Sequence, residues 1–166
     1  MTRRARFASI VVPTYNERQN LERLVELVAK HMHAPYELII VDDSSPDGTG
    51  ELAEELAKVH PIRVISRPSK SGLGSAYRDG FKLATGDIIF EMDADLSHDP
   101  RYLPALIEAI ENGADIAVGS RYTTNGRIVG WNWYRKLVSG SGNTLARVVL
   151  GLHTRDTTSG FRAYAR

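Results

Sequence analysis

The chain has 166 residues, 42% hydrophobic and 25% charged, with no cysteine, an ordinary composition for one globular domain that excludes a disordered tail, a collagen, a disulfide scaffold and a cysteine nucleophile. Its net charge of +1 conceals an asymmetry: up to Asp115 there are 13 Lys and Arg against 19 Asp and Glu, a net −6, while Ile116 to Arg166 carries 8 against one, Asp156, a net +7. No window approaches the ~18 consecutive apolar residues of a membrane span, and the apolar run after the basic Met1–Arg6 is short and ends in Pro13, which is not the layout of a signal peptide.

The elements alternate. Phe7 to Pro13 is a short apolar run stopped by proline and reads as a buried strand. Asn16 then caps a helix to about His33, with Leu21, Leu24, Val25, Leu27 and Val28 at helical spacing. Glu37 to Val41 is a second strand, and the polar loop from Asp42 to Gly48 leads into a helix through Val59, capped by Asp47 or Thr49. Ile62 to Ser66 is a third strand. Pro68 to Gly74 is a loop, and Ser75 to Leu83 is a helix closed by Gly86. Asp87 to Met92 is a fourth strand; Asp99-Pro100 is a cap with proline at the first helical position, opening a helix to about Glu111 that Gly113 ends. Asp115 to Gly119 is a fifth strand, and Trp131 to Leu150 reads as largely helical. Apolar strands alternating with helices predict an α/β fold, a mostly parallel sheet with helices on both faces.

In such sheets ligands bind beyond the carboxyl ends of the strands, and the polar clusters fall there. Asp93-Ala94-Asp95 follows the fourth strand. Two carboxylates so placed suit Mg²⁺ or Mn²⁺, which prefers one or two carboxylates plus phosphate oxygens and water; a solvated acidic loop is the plainer alternative. Ser97 is a weak third ligand, His98 is either a ligand or, as is commoner for a lone loop histidine, simply exposed, and Asp99 reads as a cap. Asp42 and Asp43 close the second strand, where an acid can meet a ribose or a base edge. Neighbours on a strand point to opposite sides, so only one of the two would face a ligand; the plainer alternative is that both simply cap the loop and the next helix. After the first strand, Tyr15 offers an aromatic face and Glu17 an acceptor, or else simply a charge suited to a helix start. Ser71-Gly72-Leu73-Gly74 lacks the third glycine of a dinucleotide fingerprint, since Tyr77 stands there. Arg121, Arg127, Arg135 and Lys136 lie among Trp131, Trp133 and Tyr134. They suit phosphates or an anionic membrane surface, and equally a solvated helix face. The acidic first 115 residues would repel a nucleic-acid backbone, so no nucleic-acid partner is expected.

In this order the segments resemble the dolichol-phosphate mannose synthases, polyprenyl-phosphate mannosyltransferases of the family-2 inverting glycosyltransferases. The matching residues are Pro13 to Glu17, Val41 to Thr49, Gly72 to Tyr77, Met92 to Pro100, Gly119 to Tyr122 and Asp156 to Arg162. The resemblance implies a GT-A (nucleotide-diphospho-sugar transferase) Rossmann-like fold, with Pro13, Tyr15, Glu17, Val41 and Asp43 holding the guanosine half of GDP-mannose. It implies that Asp93, Ala94 and Asp95 meet the ribose and diphosphate, with Asp93, Asp95 and Ser97 on Mg²⁺ or Mn²⁺. Ser97 stands where many relatives carry glutamine. Arg121 and Arg135 would bind the acceptor phosphate, Arg121 also reaching the donor, and Asp95 and Arg121 would serve catalysis. The family continues past Ser-Gly-Phe-Arg with another strand-helix stretch and a basic loop, so residues 1–166 are expected to be a single catalytic domain short of its C-terminal part.

The expected partners are GDP-mannose, a polyprenyl phosphate, and a membrane surface or a membrane-anchoring subunit, with the protein peripheral at the cytoplasmic face. Glucose transfer from UDP-glucose is the nearest alternative; a truncated module that binds nucleotide sugar without turnover is the other.

Overall fold

Residues that are apolar on both faces must be covered on both faces, and this fixes the architecture. In the computed structural model, which describes residues 6–119 and 159–166, β1 (Ala8–Thr14) lies between β2 (Tyr36–Asp42) and β4 (Ile88–Glu91), paired in parallel with each. β3 (Ile62–Ser66) adds in parallel to β2. Beyond β4 come β6 (Arg162–Ala165) and then β5 (Ile116–Val118), giving the order β3-β2-β1-β4-β6-β5. β6 is antiparallel to both neighbours and, among the described strands, alone runs against the rest.

Alternate residues of the central strands feed two cores. Ile10, Val12, Leu38, Ile40, Phe90 and Met92 point to the face covered by α1 (Arg18–His31), α2 (Thr49–Leu56) and α4 (Leu103–Glu111). Val11, Ile39 and Val41 point the other way, under Ala76 and Tyr77 of α3 (Leu73–Leu83). α3 lies directly on β1 because Gly80 has no side chain: a Cβ there would sit 2.3 Å from Val11 Cγ1.

The mostly parallel α/β sheet covered on both faces is as the sequence predicts; several ends are not. Asn16 does not cap α1. It adopts a left-handed backbone (φ 60°), and Glu17 takes the cap position without a side-chain hydrogen bond. The cap residue of α2 is Gly48, also left-handed, although Asp47 Oδ1 accepts from the Thr49 N–H at 3.0 Å; α2 stops at Leu56, short of Val59. α3 starts at Leu73, two residues early, and ends at Leu83 as expected, but Ala84 takes the C-cap position and Gly86 is packed on the β1 backbone instead. Asp99 accepts from the Arg101 N–H as expected, above a short 3₁₀ turn (Pro100–Tyr102) that leads into α4. β6 had no counterpart in the strand pattern. The helix expected over Trp131 to Leu150 lies outside the described residues.

Candidate active site

The carboxyl ends of β2, β1 and β4 stand side by side and open onto a cavity of about 340 Å³. Pro13, Thr14, Tyr15 and Glu17 line it from the end of β1, Asp43 from β2, and Asp93, Ala94 and Asp95 from β4; Lys70 and Leu73 close it from the loop and first residue of α3. Sequence-predicted residues from three separate strand ends are thus brought together. Two are not: Val41 is fully buried in the core beneath α3, and Ser97 is exposed outside the lining, its N–H donating to Asp95 Oδ1 at 3.0 Å. Arg121 and Arg135 lie outside the described residues.

The paired acids of β2 divide as strand geometry requires. Asp42 turns inward, accepting from Thr14 Oγ1 at 2.9 Å and from the N–H and hydroxyl of Ser45 at 2.9 and 2.6 Å. Asp43 faces the cavity, and both of its oxygens are taken by Arg67: Nε donates to Oδ1, and Nη2 to Oδ2 at 2.9 Å. Arg67 is itself 7% exposed, and its Nη1 reaches Ser75 Oγ at 2.8 Å and Asp79 Oδ2 at 3.3 Å on α3. Hydrogen bonding to Asp43 is the main cause of a guanidinium pKa held above its ordinary value, with burial opposing and Asp79 adding to the rise. On the far side, Glu17 Oε2 accepts from Asn20 at 2.8 Å, and the Lys70 ammonium sits 4.0 Å over the Tyr15 ring, a cation–π contact at the cavity rim.

The acids after β4 are unlike each other. Asp93 is half-buried. Tyr77 donates to its Oδ1 at 3.1 Å, its N–H donates to His98 Nδ1 at 2.9 Å, and its Oδ2 stands 3.6 Å from His98 Nε2. Burial, followed by the adjacent Asp93 charge, pushes the Tyr77 phenol far above its ordinary range, so it remains a donor. His98 is not the exposed loop residue expected: its side chain is 13% exposed, and its ring stacks on Phe161 with centroids 5.2 Å apart. Asp95 is exposed, and among the described residues only the Ser97 N–H approaches it.

No group of three or more His, Cys, Asp or Glu residues that could hold a metal occurs among the described residues. Two carboxylates facing one cavity do not make a zinc or calcium cage. They suit an ion that keeps several waters and completes its shell with substrate oxygens, which is the chemistry of Mg²⁺ or Mn²⁺.

Residues 9–166 match the family model described as "Glycosyl transferase family 2". The chain belongs to this family. It is 47% identical over 158 residues to a dolichol-phosphate mannosyltransferase of Pyrococcus furiosus, covering 93% of this chain and 45% of that protein. It is 46% identical over 162 residues to a polyprenol monophosphomannose synthase of Mycolicibacterium smegmatis, covering 95% and 61%. The chain therefore spans about half the length of these curated relatives. Among solved structures, glucosyl-3-phosphoglycerate synthase of Mycobacterium tuberculosis with phosphoglyceric acid superposes with a TM-score of 0.72 at 26% identity, over 96% of this chain and 57% of that one. A mannosyltransferase of Pyrobaculum calidifontis in complex with GDP-Man and Mn²⁺ gives 0.50 at 28% identity, over 54% and 28%. The sheet is that of the GT-A glycosyltransferases, as the family resemblance implied.

Among the lining and supporting residues, Arg67, Lys70, Leu73 and Tyr77 had no assigned part. Tyr77 lay in the quoted Gly72–Tyr77 motif, but its use depends on α3 packing over β1 and β2 so that its hydroxyl reaches Asp93, which spacing does not reveal.

Proposed function

We propose that the protein is an inverting glycosyltransferase that moves mannose from GDP-mannose to a polyprenyl phosphate such as dolichyl phosphate. One observation carries this reading: the cavity has an aromatic face and hydrogen-bond acceptors at the ends of β1 and β2, and paired carboxylates after β4. That order matches base, ribose and diphosphate along a nucleotide sugar, and the names of the curated relatives supply the mannose and the lipid phosphate.

On this reading Tyr15 and Pro13 flank the base, while Glu17 and Asp43 accept from its N–H groups or from the ribose hydroxyls. Asp93 and Asp95 would hold the divalent cation, Ala94 would let the backbone approach the ribose, and Ser97, exposed outside the lining, would contribute only through a water. The cation, when bound, supplies charge neutralisation at the departing diphosphate. A phosphate monoester is already anionic near neutral pH, so the acceptor needs no strong base. The protein's part is to orient two anions and exclude wrong geometries. Arg121 and Arg135 are assigned to the acceptor phosphate, Arg121 also to the donor. Attack opposite the leaving diphosphate inverts the sugar carbon. A lipid acceptor places the reaction at a membrane surface, here the cytoplasmic face, reached peripherally or through an anchoring subunit. Among the described residues no helix is long and apolar enough to cross a membrane.

The test is transfer of labelled sugar by the full-length protein with Mn²⁺ and a short polyprenyl phosphate. Label is expected to enter the lipid fraction from GDP-mannose. Preferential transfer from UDP-glucose would replace the donor assignment, and tight donor binding without any turnover would leave a binding module.

A further inference from the structure

The Gly72–Tyr77 stretch plays no direct part in the reading above, yet both of its polar side chains reach toward the acids of the cavity. Ser75 meets Arg67, which holds Asp43, and Tyr77 meets Asp93. We propose that Tyr77 is a positioning residue whose hydroxyl fixes the Asp93 carboxylate in the orientation that receives a divalent cation and the donor diphosphate. The proposal rests on the nucleotide-sugar reading of the cavity.

Three observations support it. The Tyr77 ring is 8% exposed and locked among Val11, Ile39, Val41 and Ala76, with Phe81 at 5.9 Å between ring centroids. Its hydroxyl therefore occupies a fixed point in space. A phenol has one hydrogen to donate, and it goes to Asp93 Oδ1. On the other side His98, stacked on Phe161, receives the Asp93 N–H and presents Nε2 to Oδ2. Phe161 belongs to the core on the opposite face of the sheet from Tyr77. Asp93 is thus bracketed by side chains rooted in both cores, whereas Asp95 is exposed and, among the described residues, accepts from the Ser97 N–H. Ligands whose rotamers are locked by outer hydrogen bonds bind metal more tightly because less ordering remains to be done.

The decisive comparison uses the full-length protein and titrates Mn²⁺ at saturating GDP, following the electron paramagnetic resonance of free Mn²⁺. Tyr77→Phe keeps the ring and deletes only the donor. It is expected to weaken Mn²⁺ about tenfold, the order of one hydrogen bond to a charged group. GDP affinity without metal should stay within about twofold, because the base end is untouched, whereas a general defect in folding would weaken both. In the Asp93→Asn background, Tyr77→Phe should add nothing, since the tyrosine acts through that carboxylate. If the wild type binds Mn²⁺ with GDP and Tyr77→Phe matches it, or if the two losses multiply in the double variant, the positioning role is overturned alone. A wild type that binds neither GDP nor Mn²⁺ would overturn the reading of the cavity, and this role with it.

Discussion

Replacing Arg67 with Met tests whether the clamp behind the cavity is a working part of the fold. The side chains of Arg67 and Asp43 are each 8% exposed and joined by two hydrogen bonds, and Arg67 spans from β3 to Ser75 and Asp79 on α3. Met fills much of the same volume but leaves Asp43 covered and unpaired. Removing one partner of a buried pair costs roughly 3–5 kcal/mol, and because this pair lies at the floor of an open cavity, water can reach Asp43 in the variant, so about 3 is expected. For a domain of this size that is a fall of roughly 6–12 °C in melting temperature. Adding Asp43→Asn removes the stranded charge, so the double variant should regain most of the loss. Urea or thermal unfolding of wild type, both single variants and the double variant gives the coupling. Additive losses, with the double variant less stable than either single one, would refute the idea that the two charges stabilise each other.

Other outcomes follow from neighbouring contacts. Glu37 is buried at 7% exposure; burial raises its carboxyl pKa, but hydrogen bonds from Ser9, Thr85 and Arg63 together outweigh that and hold it below its ordinary value near 4.5. Its contribution is therefore complete above about pH 4.5 and lost as pH falls through the lower folded-state value; stability measured from pH 6 to 3 should fall less steeply in Glu37→Gln than in wild type. Gly80→Ala should lose roughly 1–3 kcal/mol by overpacking against Val11, and less in a Val11→Ala background, as chemical denaturation would read. Asp42→Ala should cost mainly stability, because Thr14 and Ser45 lose their acceptor, whereas Asp43→Asn should weaken GDP in calorimetry by about tenfold, one charge-assisted hydrogen bond.

The sequence reveals the elements that are long or strongly patterned. β1, β2, β3 and α1 follow from apolar runs and helical spacing, and the acids fall at strand ends because the strands themselves are legible. β6 escapes: four residues, Arg-Ala-Tyr-Ala, have no run of apolar residues, and the strand exists only because β4 and β5 offer it two edges. Asn16 escapes because a left-handed residue before a helix looks like a cap in sequence. In the cavity, Tyr15, Glu17, Asp93 and Asp95 could be placed from their position after strand ends, whereas Asp43 rather than Asp42 came from the family resemblance, because strand alternation alone left the two open. His98 was misread because its cover, Phe161, lies 63 positions away in the chain. Arg67 and Tyr77 act across elements, and pairings of that kind are written in the packing of α3 rather than in any local spacing.

The most direct measurement is a calorimetric titration of the full-length protein with GDP-mannose, with and without Mn²⁺, beside the same titrations of Asp95→Asn. Asp95 is exposed, so the substitution should leave folding intact. The account predicts one-site binding that tightens with Mn²⁺ in the wild type, and a metal effect that disappears in Asp95→Asn while metal-free binding persists. A wild type indifferent to Mn²⁺, or an Asp95→Asn variant that keeps the full metal effect, would contradict the assignment of the cavity to a metal-bound nucleotide sugar.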